Sequence, residues 1–515
     1  MKSHPTSTLA LFFMWILCSS PSFPSPIVDT QSKNTSSIVR KEWSNVFLQK
    51  KNSLNIFKGA SKKIERITVI SALPELNNDR PQIGNINCQT QIKLATAQVL
   101  ELMQATEKAV CNHPEAYKAW IETNIQKAQL GINRSEYYPI LSATLNYDWG
   151  KDNYQVNNRK DLSYDTDTRR YGIAVQANWL LYDFGMRQHQ VSAAEKLLAM
   201  SFAQQDSILQ DVVLKTIIAY YAVIQVELKL DNLKQTFQLA EKNYQIAHAR
   251  YKAGIGIKSD ELQMQANLAK AKADQVKLQG DLKITKGNLA ILMGEPAYQN
   301  FKVNSQLKIP SILNLKSIEH LIDESIQLNP KLKVAQLAVD AAKDQVKLVK
   351  KSNYPTLSLM TSYNNSEQMG QSPFANNTEQ IQAGVRLNIP IFDGFKHKNQ
   401  ILLAHENMRL KQGEQASVEQ EISAKIWQNY NELEAIHETL KALSVLNDSA
   451  EDAYAVAQGR YQAGVGNLLE VINSQNVLID ARMNYSNTLT EFLVVRYQLL
   501  ASIGSLNVWP EEVGS

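Results

Sequence analysis

The chain has 515 residues, with 54 Lys and Arg against 50 Asp and Glu and a formal net charge of +4. No run of six like charges occurs, so nucleic-acid binding has no compositional footing. Mean hydropathy is −0.30, and no unbroken apolar run of 18 residues follows the N-terminus, which excludes a helical membrane span but leaves a β-barrel span open, because alternating strands carry little hydropathy signal.

Lys2, the apolar run Leu9 to Leu17 and the Pro/Ser-rich stretch to Pro26 read as a secretory signal over 1–25. Bulky Leu17 before Cys18 speaks against a lipoprotein cysteine. Residues 26–87, which include Pro74 and Pro81, keep no period and read as an irregular extension. Two cysteines remain, Cys88 and Cys111. In an exported chain an even pair reads as a disulfide closing a helical segment, and two free thiols are the other reading. His113 alone beside them is too little for a metal site, and no metal or cofactor is expected.

From Gln89 to Glu136 the pattern is helical, broken at Cys111-Asn112-His113-Pro114 and ended by Tyr137-Tyr138-Pro139. Strict alternation follows. Leu141, Ala143, Leu145, Tyr147 and Trp149 share one face, and after a polar stretch from Lys151 to Arg170 so do Tyr171, Ile173, Val175, Ala177 and Trp179. Two strands of roughly ten residues, in a hairpin over 140–182, have the period of a membrane barrel and equally of a soluble sandwich. A helix over 184–250 then spans roughly 100 Å. Its second half keeps a coiled-coil seam through Val226, Leu230, Leu233, Phe237, Ala240, Tyr244, Ala247 and Tyr251. Arg250-Tyr251-Lys252-Ala253-Gly254-Ile255-Gly256 supplies a tight reversal, and a helix returns over 259–293.

After a linker over 295–317 the order repeats. Asn329-Pro330 answers His113-Pro114, Tyr354-Pro355 answers Tyr138-Pro139, and Ser502-Ile503-Gly504 answers Leu292-Met293-Gly294. The turn returns as Arg460-Tyr461-Gln462-Ala463-Gly464-Val465-Gly466, 210 positions after the first. The units are a first repeat over 88–294 and a second over 318–506, with a hairpin 356–392, a long helix 395–460, a helix 467–503 and a tail 507–515. Four strands per chain cannot close a barrel, and open edges cannot face lipid, so membrane strands require oligomerisation: eight strands in a dimer, twelve in a trimer.

The duplicated pattern of strand, Asp-Phe-Gly or Asp-Gly-Phe, long helix, Arg-Tyr-x-Ala-Gly-x-Gly and helix resembles the TolC family of outer-membrane efflux channels over residues 88 to 506. The Cys111-Asn112-His113-Pro114 stretch with Cys88 upstream resembles its type I protein-secretion branch. The resemblance implies a mainly α, internally duplicated fold with a small β part. A long antiparallel coiled-coil helical barrel would carry a transmembrane β-barrel completed by trimerisation. It also implies a passive, non-enzymatic exit duct in the outer membrane of a Gram-negative cell, reaching through the periplasm. Its implied partners are further copies of the chain, outer-membrane lipid, a periplasmic adaptor and an inner-membrane ABC or RND transporter.

Carried over by position, the gate or constriction falls on Tyr251, Asp260, Tyr461, Glu470 and Asn473, and the adaptor-docking tips on Arg250, Gly254, Gly256, Arg460, Gly464 and Gly466. The family's inner aspartate falls on Asn473 and its gating arginine on Gly466, departures that weaken the cation ring and the usual latch. Three Glu470 side chains near a three-fold axis favour cations, yet Asp260 and Glu470 also suit plain helix N-termini, and both tyrosines suit seam packing. A pore-less coiled-coil scaffold is the competing reading, disfavoured by four symmetrically placed amphipathic strands. No phosphate loop, HExxH or strand-borne Gly-x-Ser-x-Gly supports an enzyme.

Overall fold

A computed structural model describes residues 82–83, 86–88, 99–155, 157–305, 307, 316–369 and 377–506. The signal, most of the 26–87 extension and the 507–515 tail lie outside these. The chain divides into two units between Gln82 and Ile83, and both repeats lie in the unit from Ile83 onward.

Strand β1 (Val99–Leu100) precedes helices α1 (Leu102–Asn112) and α2 (Pro114–Ser135). Strands β2 (Ile140–Tyr154) and β3 (Tyr164–Tyr182) lead into α3 (Met186–Lys252) and α4 (Lys258–Leu292). The second half repeats this order: β4 (Lys302–Val303), α5 (Ile318–Leu328), α6 (Pro330–Lys351), β5 (Thr356–Met369), β6 (Asn377–Asn388), α7 (Lys396–Gln462) and α8 (Leu468–Ile503). At 67 residues each, α3 and α7 are about 100 Å long.

The four long strands form one antiparallel sheet in the order β2-β3-β5-β6. Its register places the alternating apolar residues on a single face. Leu145 lies opposite Ile173, Val175 opposite Tyr363, and Leu359 opposite Val385. Leu141, Leu145, Tyr147, Ile381, Val385 and Leu387 are exposed there, and the outer edges of β2 and β6 have no strand partner in this sheet. Both strands of the first hairpin run well past the ten residues that alternation predicts, into the stretch Lys151 to Arg170. The ladder continues there through polar pairs, with Asn153 donating to Asp165, so backbone pairing outlasts the hydrophobic period.

The helical reading from Gln89 also needs correction. Val99–Leu100 is extended and pairs in parallel with Lys302–Val303. Leu100 is fully buried, and its carbonyl accepts from Asn304 N at 3.2 Å and from Tyr220 Oη at 3.0 Å, so tertiary bonds outweigh helical propensity. Cys88 Sγ is bonded to Cys111 Sγ, with the Cα atoms 5.4 Å apart. Helix α3 contains an 18-residue window of mean hydropathy 1.5, apolar enough to cross a membrane although no unbroken apolar run marks it, and 56% of the window is buried inside the protein. The apolarity of α3 serves a core of Leu209, Val213, Ile217, Val223 and Ile224, packed with Leu289, Met293, Phe492 and Leu499.

The paired sequence matches meet in space at this equatorial core. Asn329 caps α6, accepting from Lys331 N at 2.9 Å, and donates to Ser502 O at the end of α8 at 2.8 Å. Asn112 likewise donates to Met293 O at the end of α4 at 3.3 Å. Asn429 breaks the polar accounting with both of its amide atoms: it is completely buried, and neither has a hydrogen-bond partner among the described residues. Asn429→Leu is therefore expected to stabilise the fold by about 1–2 kcal/mol, seen as a higher thermal midpoint.

Candidate functional site: the helical tips

Each reversal is built by the same local physics. Gly254 and Gly464 take left-handed backbone, φ +73° and +79°, and close the C-terminus of the descending helix. Gly256 and Gly466 lie where a Cβ would meet the preceding turn's backbone at 3.0 Å. Arg250 O and Arg460 O each accept two amides, from Ile255 and Gly256 and from Val465 and Gly466. The descending and returning helices of each hairpin then pack along apolar seams. In the second hairpin these are Ala450, Tyr454, Ala457 and Tyr461 against Val471, Leu478 and Ala481.

The side chains break this symmetry. Tyr461 is 4% exposed, whereas Tyr251 is 41% exposed and lies under Lys258, whose Nζ stands 4.7 Å from its ring centroid. Tyr461 Oη points at Asp260 Oδ2 across the two hairpins at a long 3.5 Å. Burial, and secondly the Asp260 charge, push the Tyr461 phenol above its ordinary pKa, so it remains a neutral donor at physiological pH. Arg250 Nη1 donates to Tyr461 O at 2.8 Å. Arg460 instead pairs with Glu470 in its own hairpin, Nη1 to Oε1 at 3.1 Å, and Glu470 N is capped by Asn467 Oδ1 at 2.7 Å. Asn473 is exposed on the first turns of α8.

Of the sequence-derived gate set, then, Asp260 and Tyr461 come together with Arg250. Tyr251, Glu470 and Asn473 do not join them within one chain. Sequence reasoning missed two groups. Glu261, rather than Asp260, is the buried acid of the first tip. It pairs with Lys258 and lies 2.6 Å from His248 Nδ1, and hydrogen bonds from those two side chains hold its carboxyl below the usual range. Asn243 is 2% exposed and meets Tyr454, Gln458 and Gln475 of the second hairpin. The available signal was the polar stripe Thr236, Asn243, Arg250 at heptad spacing beside the apolar seam.

Helices of about 100 Å carry hydrogen-bonded tips at one end and, at the other, an amphipathic sheet whose open edges can face lipid only when other strands pair with them. Comparison with known proteins makes the class specific. The outer membrane efflux protein family model matches residues 105–295 and 321–505. CyaE of Bordetella pertussis is 25% identical over 409 residues, covering 79% of this chain and 84% of that protein. TolC of Vibrio cholerae is 20% identical over 409 residues, covering 79% and 91%. The outer-membrane channel OprN superposes with a TM-score of 0.69 at 16% identity, over 78% of this chain and 90% of that one. The chain belongs to the outer membrane efflux protein family, a family of channels rather than enzymes, and is an outer-membrane exit channel of the secretion and efflux type.

Proposed function

We propose that three copies of this chain close one twelve-stranded barrel and one periplasmic helical tunnel, gated at the tips. The observation that carries this reading is the four-stranded sheet with a bare apolar face and two unpaired edges. Lipid does not tolerate such edges, so β6 of one copy must pair with β2 of the next. A pore-less scaffold offers no use for that sheet. The tunnel is passive: a periplasmic adaptor docks its helical hairpins on the tips around Gly254, Gly256, Gly464 and Gly466, and an ABC or RND transporter in the inner membrane drives the cargo. Cargo choice belongs to that transporter. Engagement of the adaptor untwists the tips, separating Tyr461 from Asp260. In the closed trimer Glu470 from each copy faces the axis and favours cations, with Arg460 tempering the charge.

Two measurements test this. The protein should run as a heat-modifiable trimer from the outer-membrane fraction. In planar bilayers, Glu470→Ala combined with Tyr461→Phe should raise single-channel conductance, and an unchanged conductance removes the gate assignment.

A further inference from the structure

The corner where α6 turns into β5 holds two cations without a counter-charge. Along α6, Lys343 pairs with Asp340 at 2.9 Å and Lys347 with Asp344 at 3.0 Å. Lys350 and Lys351, in the last turn, have no carboxylate partner among the described residues. Lys350 is exposed, and Lys351 Nζ stands 4.3 Å from the ring centroid of Tyr354. The matching corner of the first repeat keeps no spare cation at these positions. Ser135 stands where Lys351 does, and Arg134 is bonded to Glu195 at 2.8 Å.

Tyr354 is one end of a row of aromatic rings. It meets Phe184 edge-on at 5.9 Å, and Phe184 meets Tyr182 edge-on at 4.8 Å. Tyr182 lies opposite Leu357 in the sheet, on the apolar face that carries Leu359 and Val385. All three rings are exposed. The row therefore runs from the apolar face of the sheet to Lys351 within one chain. Phe184 is held in it with left-handed backbone, φ +54°, which is strained for a bulky L residue. The second repeat keeps Phe395 at φ +65°, although its glycine precedes the phenylalanine instead of following it. Strain tolerated twice for an exposed ring points to a use for that ring.

We propose that Lys350, Lys351, Tyr354, Phe184 and Tyr182 form a binding site for an anionic phospholipid of the leaflet that faces the periplasm. The helix macrodipole favours lysines in a last turn, but it does not call for an exposed aromatic row joining them to the apolar face. Ammonium groups, then aromatic rings, then an apolar wall match a phospholipid taken from phosphate to acyl chain. Two uncompensated lysines select an anionic headgroup over a zwitterionic one. This rests on reading the sheet as part of a lipid-embedded trimeric barrel, whose periplasmic rim this corner then forms.

The experiment is thermal unfolding of the full-length trimer in neutral detergent, titrated with phosphatidylglycerol or with phosphatidylcholine of the same acyl chains. Phosphatidylglycerol should raise the midpoint to a plateau, as a ligand of the folded state does, and phosphatidylcholine should do so only weakly. Lys350→Ala with Lys351→Ala should raise the half-saturating concentration of phosphatidylglycerol about 25-fold, about fivefold for each lysine. Lys351→Arg, which keeps the charge over Tyr354, should bind as the unaltered protein does. Phe184→Gly relieves the left-handed backbone yet removes the ring, and it should also weaken the lipid effect. Raised salt should weaken it in the unaltered protein. Equal responses to the two lipids overturn the site, as does a double lysine variant or a Phe184→Gly variant that binds phosphatidylglycerol undiminished. Glycerol 3-phosphate giving the same plateau at the same concentrations would make this a free-phosphate site and overturn the lipid assignment. If no heat-modifiable trimer forms at all, the barrel reading falls first; if it forms and the two lipids act alike, only the lipid site falls.

Discussion

Arg187→Ala should lower the stability of the fold by about 3–5 kcal/mol, the loss expected when one partner of a buried ion pair is left behind. Arg187 is 3% exposed at the junction between β3 and α3. Its Nε lies 2.8 Å from Asp183 Oδ2, its Nη1 donates to Glu136 O at 2.9 Å, and its guanidinium stands 4.5 Å from the Tyr137 ring centroid. One side chain thus fastens the end of α2, the end of the strand and the start of the long helix. Asp183 holds the other side, accepting from Gly185 N at 3.1 Å and Arg187 N at 3.0 Å.

Burial raises the Asp183 pKa, but the Arg187 amide and guanidinium and the Gly185 amide outweigh it, and the carboxyl titrates below its ordinary range. The ionised carboxylate is therefore favoured in the fold, and this contribution is complete above the unfolded carboxylate pKa, about 3.9. It is lost as pH falls through the lower folded value. Thermal unfolding of the detergent-solubilised protein should show Arg187→Ala losing most of its deficit at low pH, where Asp183 is neutral. A deficit equal at all pH values would mean that packing on Tyr137, not charge, carries the effect. The second copy has no such pair: His397 stands in the arginine's place, and Asp393 Oδ2 only caps the His397 amide at 2.7 Å.

Gly504→Ala should cost about 2–5 kcal/mol through two additive faults. The residue ends α8 with φ +86°, where an L side chain costs about 1–2 kcal/mol. A Cβ there would also lie 2.5 Å from Asn329 Cα and 2.8 Å from Leu328 O. Both are backbone atoms of the turn that starts α6, so relief requires moving a helix, an overpacking cost of about 1–3 kcal/mol. The bond from Asn329 Nδ2 to Ser502 O, 2.8 Å, shifts with it. A drop in the thermal midpoint and faster proteolysis near Asn329 are the readouts, and a neutral Gly504→Ala would show that the equatorial corner is not tightly closed.

Much of this architecture could be read from residue order. The apolar alternation of Leu141 to Trp149 and its three counterparts puts the alternating apolar residues on one face of the sheet once the register is known. The 210-residue repeat foretold two hairpins, and the match of Asn329-Pro330 and Ser502-Ile503-Gly504 with earlier stretches marked residues that turn out to touch. Other features had no period to betray them. Polar pairing extends the first hairpin beyond its apolar alternation, and β1 depends on a partner two hundred residues away. Asn243 is an ordinary polar residue in the sequence, and only the approach of α7 and α8 gives it partners.

By itself, then, the sequence determined the long helices, the sheet strands, their duplication and the two turns, because periodicity and turn residues are local properties. It could not decide which copy of an equivalent residue is buried. Tyr251 and Tyr461 occupy the same motif position, yet one is 41% exposed and the other 4%. Arg250 and Arg460 are equally matched, yet one bridges the hairpins and the other does not. The physical reason is that α8 packs against α3 as well as α7, whereas α4 packs extensively only on α3. Equal local sequences met unequal neighbours, and tertiary packing alone chose which tyrosine and which arginine bridge the two hairpins.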